Sequence, residues 1–396
     1  MKKWTVFFVI LTIILSTKIS HAEFFNQRNH LLGSRAAMLG GAYTAMSEDI
    51  SGTYYNPAGI AFIKSFSLSM SANAYSYKKQ SRKDEVGWDM KVDTVDFLPT
   101  TFGFNLTFDP VTIAFSIYQT DNYIFSSIDA SGNNVDKFEV DMKSYLMGPS
   151  VAWRILDSLS IGVSVFYRYY RGKVSLFLGS LGDSVMQSDY TYGGIIINTG
   201  IKYNITDNIK VGFSYQNESL FVNGKNTYFY TEEGNTTNEI SGSVRGEMRS
   251  PHRIAVGLAY EQKKNFVVAF DFIYYLKIDY SQPHEMMSLT SDDTRYLEDA
   301  HYDISVGGEY FLSDTFSLRA GFFTNTSSAP VEKKAERVNI YGGTFGLGYY
   351  TNNVSSGVGF SLSYGKTDWQ TGTENPSAAK ITKLAVALTV GGSMQF

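Results

Sequence analysis

From about residue 65 onward, hydrophobic and polar positions alternate with a period of two. The end of the chain is the clearest stretch: Leu384, Val386, Leu388, Val390, Met394 and Phe396 alternate with Ala385, Ala387, Thr389, Gly391, Ser393 and Gln395. Successive side chains of a strand point to opposite faces, so such a run has one greasy face and one small or polar face. The same pattern marks Phe102, Phe104, Leu106 and Phe108; Leu159, Ile161, Val163, Val165, Tyr167 and Tyr169; and Phe266, Val268, Phe270, Phe272 and Tyr274. Taken together the runs predict strands near 65–77, 101–108, 111–120, 137–153, 158–171, 191–205, 209–217, 252–261, 264–276, 301–312, 315–324, 338–351, 355–365 and 382–396. That is about fourteen, an even number, as in single-chain membrane barrels.

The connections sharpen this. Tight turns at Asp109-Pro110, Ile155-Asp157, Thr206-Asn208, Gln262-Lys263, Ser313-Asp314 and Asn352-Val354 alternate with long polar loops near 78–100, 121–136, 172–190, 218–251, 277–300, 325–337 and 366–381. A soluble sandwich has no reason to place every long connection at one end, whereas an outer-membrane barrel has short periplasmic turns and long extracellular loops. The polar face is also rich in Gly, Ser, Thr and Ala, which suits a lumen wall better than the solvent face of a soluble sheet. The fold expected is therefore all-β: an antiparallel transmembrane β-barrel of about 14 strands, with outer-membrane lipid and lipopolysaccharide against its wall. The terminal Phe396 resembles the signal by which outer-membrane proteins are recognised for insertion, which implies the barrel-assembly machinery as a transient partner.

Ahead of the barrel, Lys2 and Lys3 precede an apolar run from Trp4 to Leu15, followed by Ser20-His21-Ala22. The run is too short to span a bilayer, so residues 1–22 read as a signal peptide with Glu23 as first mature residue. Cleavage removes Lys2, Lys3 and Lys18 and no acid, taking the formal charge from -4 to -7. Nothing in that balance points to nucleic acid. Zero Cys excludes a disulfide scaffold and thiol chemistry, while 28 Tyr and 28 Phe supply aromatic girdles. Five His residues (His21, His30, His252, His284, His301) have no metal-ligand spacing, and no Gly-x-Ser-x-Gly elbow occurs, so no metal, cofactor or catalytic residue is expected. His301 beside Ser305 reads as chance placement.

Residues 23–64 do not alternate and are rich in helix formers and small residues, which places them as a partly helical plug in the lumen, with 65–396 as barrel. Gly40-Gly41 allows close backbone approach to the wall. In Tyr54-Tyr55-Asn56-Pro57-Ala58-Gly59, Asn56 serves as N-cap, Pro57 as first helical residue and Gly59 as exit.

Read whole, the run Gly33-Ser34-Arg35-Ala36-Ala37-Met38-Leu39-Gly40-Gly41-Ala42, then Glu48-Asp49, then Asn56-Pro57-Ala58-Gly59, resembles the N-terminal hatch of the FadL/TodX-like outer-membrane transporters of hydrophobic compounds. The resemblance implies a monomeric barrel plugged by its own N-terminus, with hydrophobic molecules entering from outside and leaving sideways through the wall, and Asn56-Pro57-Ala58 holding the plug there. Related PorV-like barrels hold a secreted protein instead, so an accessory role in protein secretion is the alternative. A general porin is disfavoured, because an open channel gains nothing from a hatch.

A hydrophobic ligand needs apolar surface at the mouth. Leu176, Phe177, Leu178, Leu181, Val185 and Met186 offer it between the fifth and sixth strands, where the family's corresponding loop contributes to a greasy groove. Cations are the complement of a fatty-acid carboxylate in an apolar channel. By parity Arg168, Lys202 and Arg319 point inward, with Asp271, Asp303 and Glu309 as ready partners for Arg319. Arg168 is less obviously paired and is the candidate ligand cation.

Overall fold

The computed structural model describes residues 25–83, 89–131, 134–178, 184–232, 235–244, 249–263, 265–282, 294–330, 337–370 and 378–396. The strands are β1 (Ser67–Lys83), β2 (Asp89–Phe108), β3 (Val111–Ser131), β4 (Asn134–Leu156), β5 (Leu159–Leu178), β6 (Ser184–Asn204), β7 (Ile209–Gln216), β8 (Leu220–Glu232) and β9 (Asn235–Val244), then β10 (Arg253–Gln262), β11 (Phe266–Tyr275), β12 (Ile278–Gln282), β13 (Thr294–Glu298), β14 (His301–Phe311), β15 (Phe316–Asn325), β16 (Ile340–Tyr350), β17 (Val354–Gln370) and β18 (Ala378–Gln395). Fourteen of them close an antiparallel barrel, with β1 pairing β18 and β5 pairing β6. The remaining four are additions: β8 and β9 extend the sheet from the upper part of β6, and β12 and β13 form a separate hairpin. Each of the fourteen alternating runs in the sequence lies on one barrel strand.

Alternation becomes geometry directly. On β10, Arg253, Ala255, Gly257 and Ala259 are buried toward the lumen while Val256, Leu258 and Tyr260 are exposed on the outside. Aromatic side chains mark the two edges of the outer apolar band: Trp153, Tyr203, Tyr310 and Tyr349 near the turns, Tyr274, Tyr302, Tyr341 and Tyr364 toward the long connections. Tyr302 and Tyr310 are eight residues apart on β14, which at ~3.3 Å per residue and ~40° tilt gives a band about 20 Å tall, matching a bilayer's apolar layer between girdles.

The long connections differ from expectation. Much of 78–100, 121–136, 172–190 and 218–251 is strand, not loop: β3 to β6 run 20 to 23 residues while β7, β10, β11, β14 and β15 run 8 to 11. Beyond the bilayer the outer face no longer meets lipid, so the outward apolar row ends while the hydrogen-bonded ladder continues. One side of the barrel therefore rises about 28 Å above the other, at ~3.3 Å per residue and ~40° tilt.

Candidate functional site

The segment before β1 folds inside the barrel. Its first helix, α1 (Ser34–Met38), follows Gly33 and is left through Gly40 and Gly41, whose φ values of 65° and 77° turn the chain back. A Cβ on Gly40 would lie 2.8 Å from the Phe322 carbonyl oxygen, so that glycine sits directly on the β15 wall; Gly41 instead faces Arg28 of the plug itself. A second short helix, α2 (Gly52–Tyr55), ends at Asn56, whose side chain accepts from the Ala58 N–H at 3.2 Å. Pro57 then opens a 3₁₀ helix, Pro57–Phe62. Gly59 lies within that helix and does not end it, because its tight packing against Ser47 needs a residue without a side chain there.

Polar anchors fix the plug to the wall. Arg35 donates to Glu309 Oε2 from Nε (2.9 Å) and Nη2 (2.8 Å), while Arg319, Ser317 and the Tyr350 hydroxyl donate to Oε1 at 2.8, 2.7 and 2.6 Å. Asp271 Oδ2 accepts from the backbone N–H of Tyr43 and of Thr44, each at 2.9 Å, and from the Thr44 hydroxyl at 2.7 Å. Glu48 takes Lys202 at 2.7 Å and Lys210 at 2.9 Å. Burial pushes the Glu48 carboxyl up, but the ammonium groups of Lys202 and Lys210 outweigh it and hold its pKa at about 2. Asn56 Nδ2 donates to the carbonyls of Thr44 (2.9 Å) and of Ile201 on β6 (3.0 Å), and the Ser160 hydroxyl on β5 donates to the Ala58 carbonyl at 2.8 Å.

These anchors correct the pairing expected inside the lumen. Arg168, Lys202, Arg319, Asp271, Asp303 and Glu309 are all buried. Yet only Glu309 meets Arg319, since Asp271 holds plug backbone and Asp303 accepts from Thr324 (3.0 Å) and from the Thr326 N–H (2.7 Å). Parity fixes which way a side chain points; the plug, absent from a strand-by-strand reading, decides what it finds there. His301 stacks on Tyr275 with ring centroids 4.6 Å apart, and Ser305 is taken by Arg28 at 2.9 Å, so the two do not act on each other.

The wall itself has a seam. β2 and β3 pair only from Thr101↔Tyr118 down to Phe108↔Val111. Beyond that, the rest of β2 pairs with β1, and β3 pairs with β4 after a register shift at Gln119/Asp121. The seam opens level with Tyr145, which is Gln119's partner, so it starts at the girdle on the long side. Directly behind it lies a cavity of about 60 Å³ lined by Lys78, Asp121, Tyr123, Met142, Arg168 and Glu298, among others. Asn29 Nδ2 donates to Asp121 Oδ1 at 2.9 Å and Lys78 Nζ to the Asn122 carbonyl at 2.7 Å, two polar contacts along the seam's inner edge. A second cavity of about 100 Å³ is lined by Arg28, His30, Phe323, Lys383 and the same Asn29 and Lys78. Burial, with the Lys78 ammonium nearby, holds His30 well below its usual pKa and therefore neutral. Both spaces are far smaller than the roughly 300 Å³ at which ligand pockets begin.

A family model described as "Outer membrane protein transport protein (OMPP1/FadL/TodX)" matches residues 13–393. The chain belongs to this family. Among solved structures, this FadL/TodX-family barrel is similar to a FadL homologue from Pseudomonas aeruginosa (14% identity, TM-score 0.74, covering 94% of this chain and 100% of that one). It is also similar to the toluene transporters TodX of Pseudomonas putida and TbuX of Ralstonia pickettii, each at 15% identity and TM-score 0.64, covering 94% of this chain and 99% of theirs. At such identities the likeness carries the fold. No curated protein matches the chain significantly.

The apolar mouth residues are arranged differently from the patch expected of a loop. Leu176 and Phe177 lie on β5 and Val185 and Met186 on β6, in register as Leu176↔Met186 and Phe177↔Val185. Neighbours on a strand face opposite sides, so the set is divided between the two faces of the sheet. Leu178 ends β5, and Leu181 lies outside the described residues. Arg168 is buried, 3.4 Å from the Ser144 hydroxyl and over the Tyr170 ring at 5.7 Å. Above it Tyr170, Tyr190 and Tyr192 stack with centroids 5.6 to 6.0 Å apart, an inner aromatic face that attention to aliphatic residues missed; their shared even parity was the available signal. Across the cavity, Glu298 accepts from Gln27 (2.7 Å), Ser328 (2.9 Å) and Tyr296 (2.9 Å). Burial raises its pKa to about 7 against those hydrogen bonds and the Arg168 charge. Phe396 lies at the opposite rim, its N–H donating to the Phe66 carbonyl at 2.9 Å.

Proposed function

We propose that this barrel takes hydrophobic small molecules across the outer membrane, with its high side outside. A ligand would land between the tops of β5 and β6, pass the Tyr170, Tyr190 and Tyr192 rings, and reach the space beside Arg168 and Glu298. From there displacement of Asn29 from Asp121 would open the way to the seam between β2 and β3. Lateral exit suits such cargo, because a molecule that partitions into lipid gains about 25 cal/mol per Å² of apolar surface by leaving into the bilayer instead of the aqueous periplasm. The observation that carries the reading is the coincidence of seam, cavity and plug segment at one place.

Uptake of a labelled long-chain fatty acid and of toluene by cells carrying the wild type or Leu176→Asp/Phe177→Asp tests it. Uptake of at least one compound falls several-fold in the variant. Unchanged uptake together with a soluble protein that co-purifies gives the secretion-accessory role instead, and large stable conductance of the intact barrel gives a porin.

A further inference from the structure

The outer face of β5 reads like a depth gauge: Ile161, Val163 and Val165 in the apolar band, Tyr167 and Tyr169 at the girdle, then Arg171 and Lys173. The neighbouring strands repeat it in register. Tyr145 of β4 faces Tyr169, with rings 6.5 Å apart, and one step higher Lys143 faces Arg171. Arg171 in turn pairs with Thr191 of β6, and Thr191 with Lys225 of β8. Lys143, Arg171 and Lys225 thus form one outward row with no acid in it, directly above the girdle. Only the next row up is mixed, with Asp141, Lys173 and Asp189 side by side. Lys143 also reaches Asp141 at 3.1 Å, while Arg171 and Lys225 are exposed. At ~4.8 Å between strands, the row from β4 to β8 is about 14 Å wide, enough for a phosphorylated sugar pair rather than a single phosphate.

We infer that this row is a docking site for a phosphorylated glycolipid of the outer leaflet, of the lipid A type, its acyl chains lying on the apolar band and its phosphates on Lys143, Arg171 and Lys225. The occupant follows from position: the basic row is continuous with the lipid-facing surface and sits where anionic headgroups lie, so charge complementarity and the hydrophobic contact select the same molecule. Arginine and lysine are also the side chains that recognise phosphate. The assignment rests on the outer-membrane placement with the high side outward.

The test is native mass spectrometry of the purified full-length barrel, titrated in detergent with bisphosphorylated lipid A, with its phosphate-free form and with inorganic phosphate. The comparison is wild type against Lys143→Ser/Arg171→Ser/Lys225→Ser. Each basic group near an anionic lipid surface contributes about fivefold in affinity, so the triple variant binds lipid A on the order of 100-fold more weakly. The phosphate-free lipid binds the wild type as weakly, and inorganic phosphate fails to compete at equal concentration. Equal binding by the variant, equal binding of the phosphate-free lipid, or displacement by free phosphate overturns the assignment. The substituted residues face away from the lumen, so ligand uptake by the same variant stays at wild-type level; lost lipid A binding with intact uptake separates this site from the transport reading.

Discussion

Replacing Glu48 by Gln isolates the contribution of one buried ion cluster to the seating of the plug. The carboxylate's ordinary pKa of 4.5 falls to about 2 in the folded protein, and at about 1.4 kcal/mol per unit this corresponds to roughly 3 kcal/mol of favourable interaction. Glu48 keeps 31% of its side chain exposed, and solvent screening lowers that to about 2 kcal/mol. The variant leaves the wholly buried Lys202 ammonium without its carboxylate, while Lys210 retains Glu261. The chain has no cysteine, so Ser47→Cys supplies a single buried reporter beside the cluster. A pyridyl disulfide reagent that reacts in acid then measures how often the plug opens. With about 2 kcal/mol lost, labelling at pH 7 is on the order of 30-fold faster in the Glu48→Gln background. Because the folded pKa is depressed, the stabilisation is complete above about pH 4.5 and is lost as pH falls toward 2, where the two proteins label alike. Equal rates at pH 7, or a wild-type rate that does not rise between pH 5 and pH 2 while the variant's stays level, would show that the cluster does not seat the plug.

Four other outcomes follow from the same contacts. Arg35→Met removes one charged partner of Glu309 and loosens α1 by about 2 kcal/mol, whereas Glu309→Gln disturbs both arginines and costs about 3–5 kcal/mol; single-channel recordings rank their leak in that order. Glu298 has a raised pKa of about 7, so the docking it supports is complete below pH 4.5 and weakens by about 3 kcal/mol as pH rises through 7; amide exchange in β12 and β13, corrected for intrinsic rates, speeds up over that window in the wild type and not in Glu298→Gln. Gly162→Ala places a Cβ 2.5 Å from the Pro57 carbonyl carbon and costs about 1–3 kcal/mol of plug seating, while Gly308→Ala, with its nearest neighbour at 3.7 Å, costs nothing measurable by the same thiol labelling. Deletion of Phe396 removes an exposed side chain that packs on the Phe66 ring at the rim, with centroids 5.5 Å apart, and lowers the amount assembled in the membrane more than the melting temperature of what does assemble.

The barrel was legible because lipid imposes a rule on every second residue. Val256, Leu258 and Tyr260 had to be apolar on the outside, and the small residues between them left a period of two that needs no knowledge of the partner strand. The strand extensions beyond the girdle were not legible for the converse reason. Between Asp136↔Leu178 and Lys143↔Arg171 the ladder continues but the alternation inverts, with Val140, Met142 and Val174 packed inside and Lys137, Glu139, Asp141 and Lys173 on the outside, so no lipid-facing apolar row marks it. The seam was hidden because only the β2–β3 ladder ends at Thr101↔Tyr118, while β2 stays on β1 and β3 on β4 and neither strand stops there.

The lumen contacts depend on a third body. Parity placed Arg319 and Glu309 inward together, but Arg35, Thr44 and Glu48 come from a segment without period, and their partners are settled by where the plug backbone can approach the wall. Gly162, Gly200, Gly212, Gly257, Gly307 and Gly321 are among the positions at which it does, each a wall residue whose missing side chain is filled by plug backbone or side-chain atoms. An apolar plug in an apolar socket could slide; one that puts Glu48, Asp271 and Glu309 in register with specific donors has a single seat. The cavities at Asn29 and Lys78 lie outside that anchored part, on the stretch from Asn26 to His30, which is held by hydrogen bonds of Gln27 to Glu298, of Arg28 to Ser305, Thr324 and Gly40, and of Asn29 to Asp121. On the proposed route, movement of Asn29 and its neighbours would open the seam while the ion pairs of Glu48 and Glu309 hold the remainder of the plug in its seat.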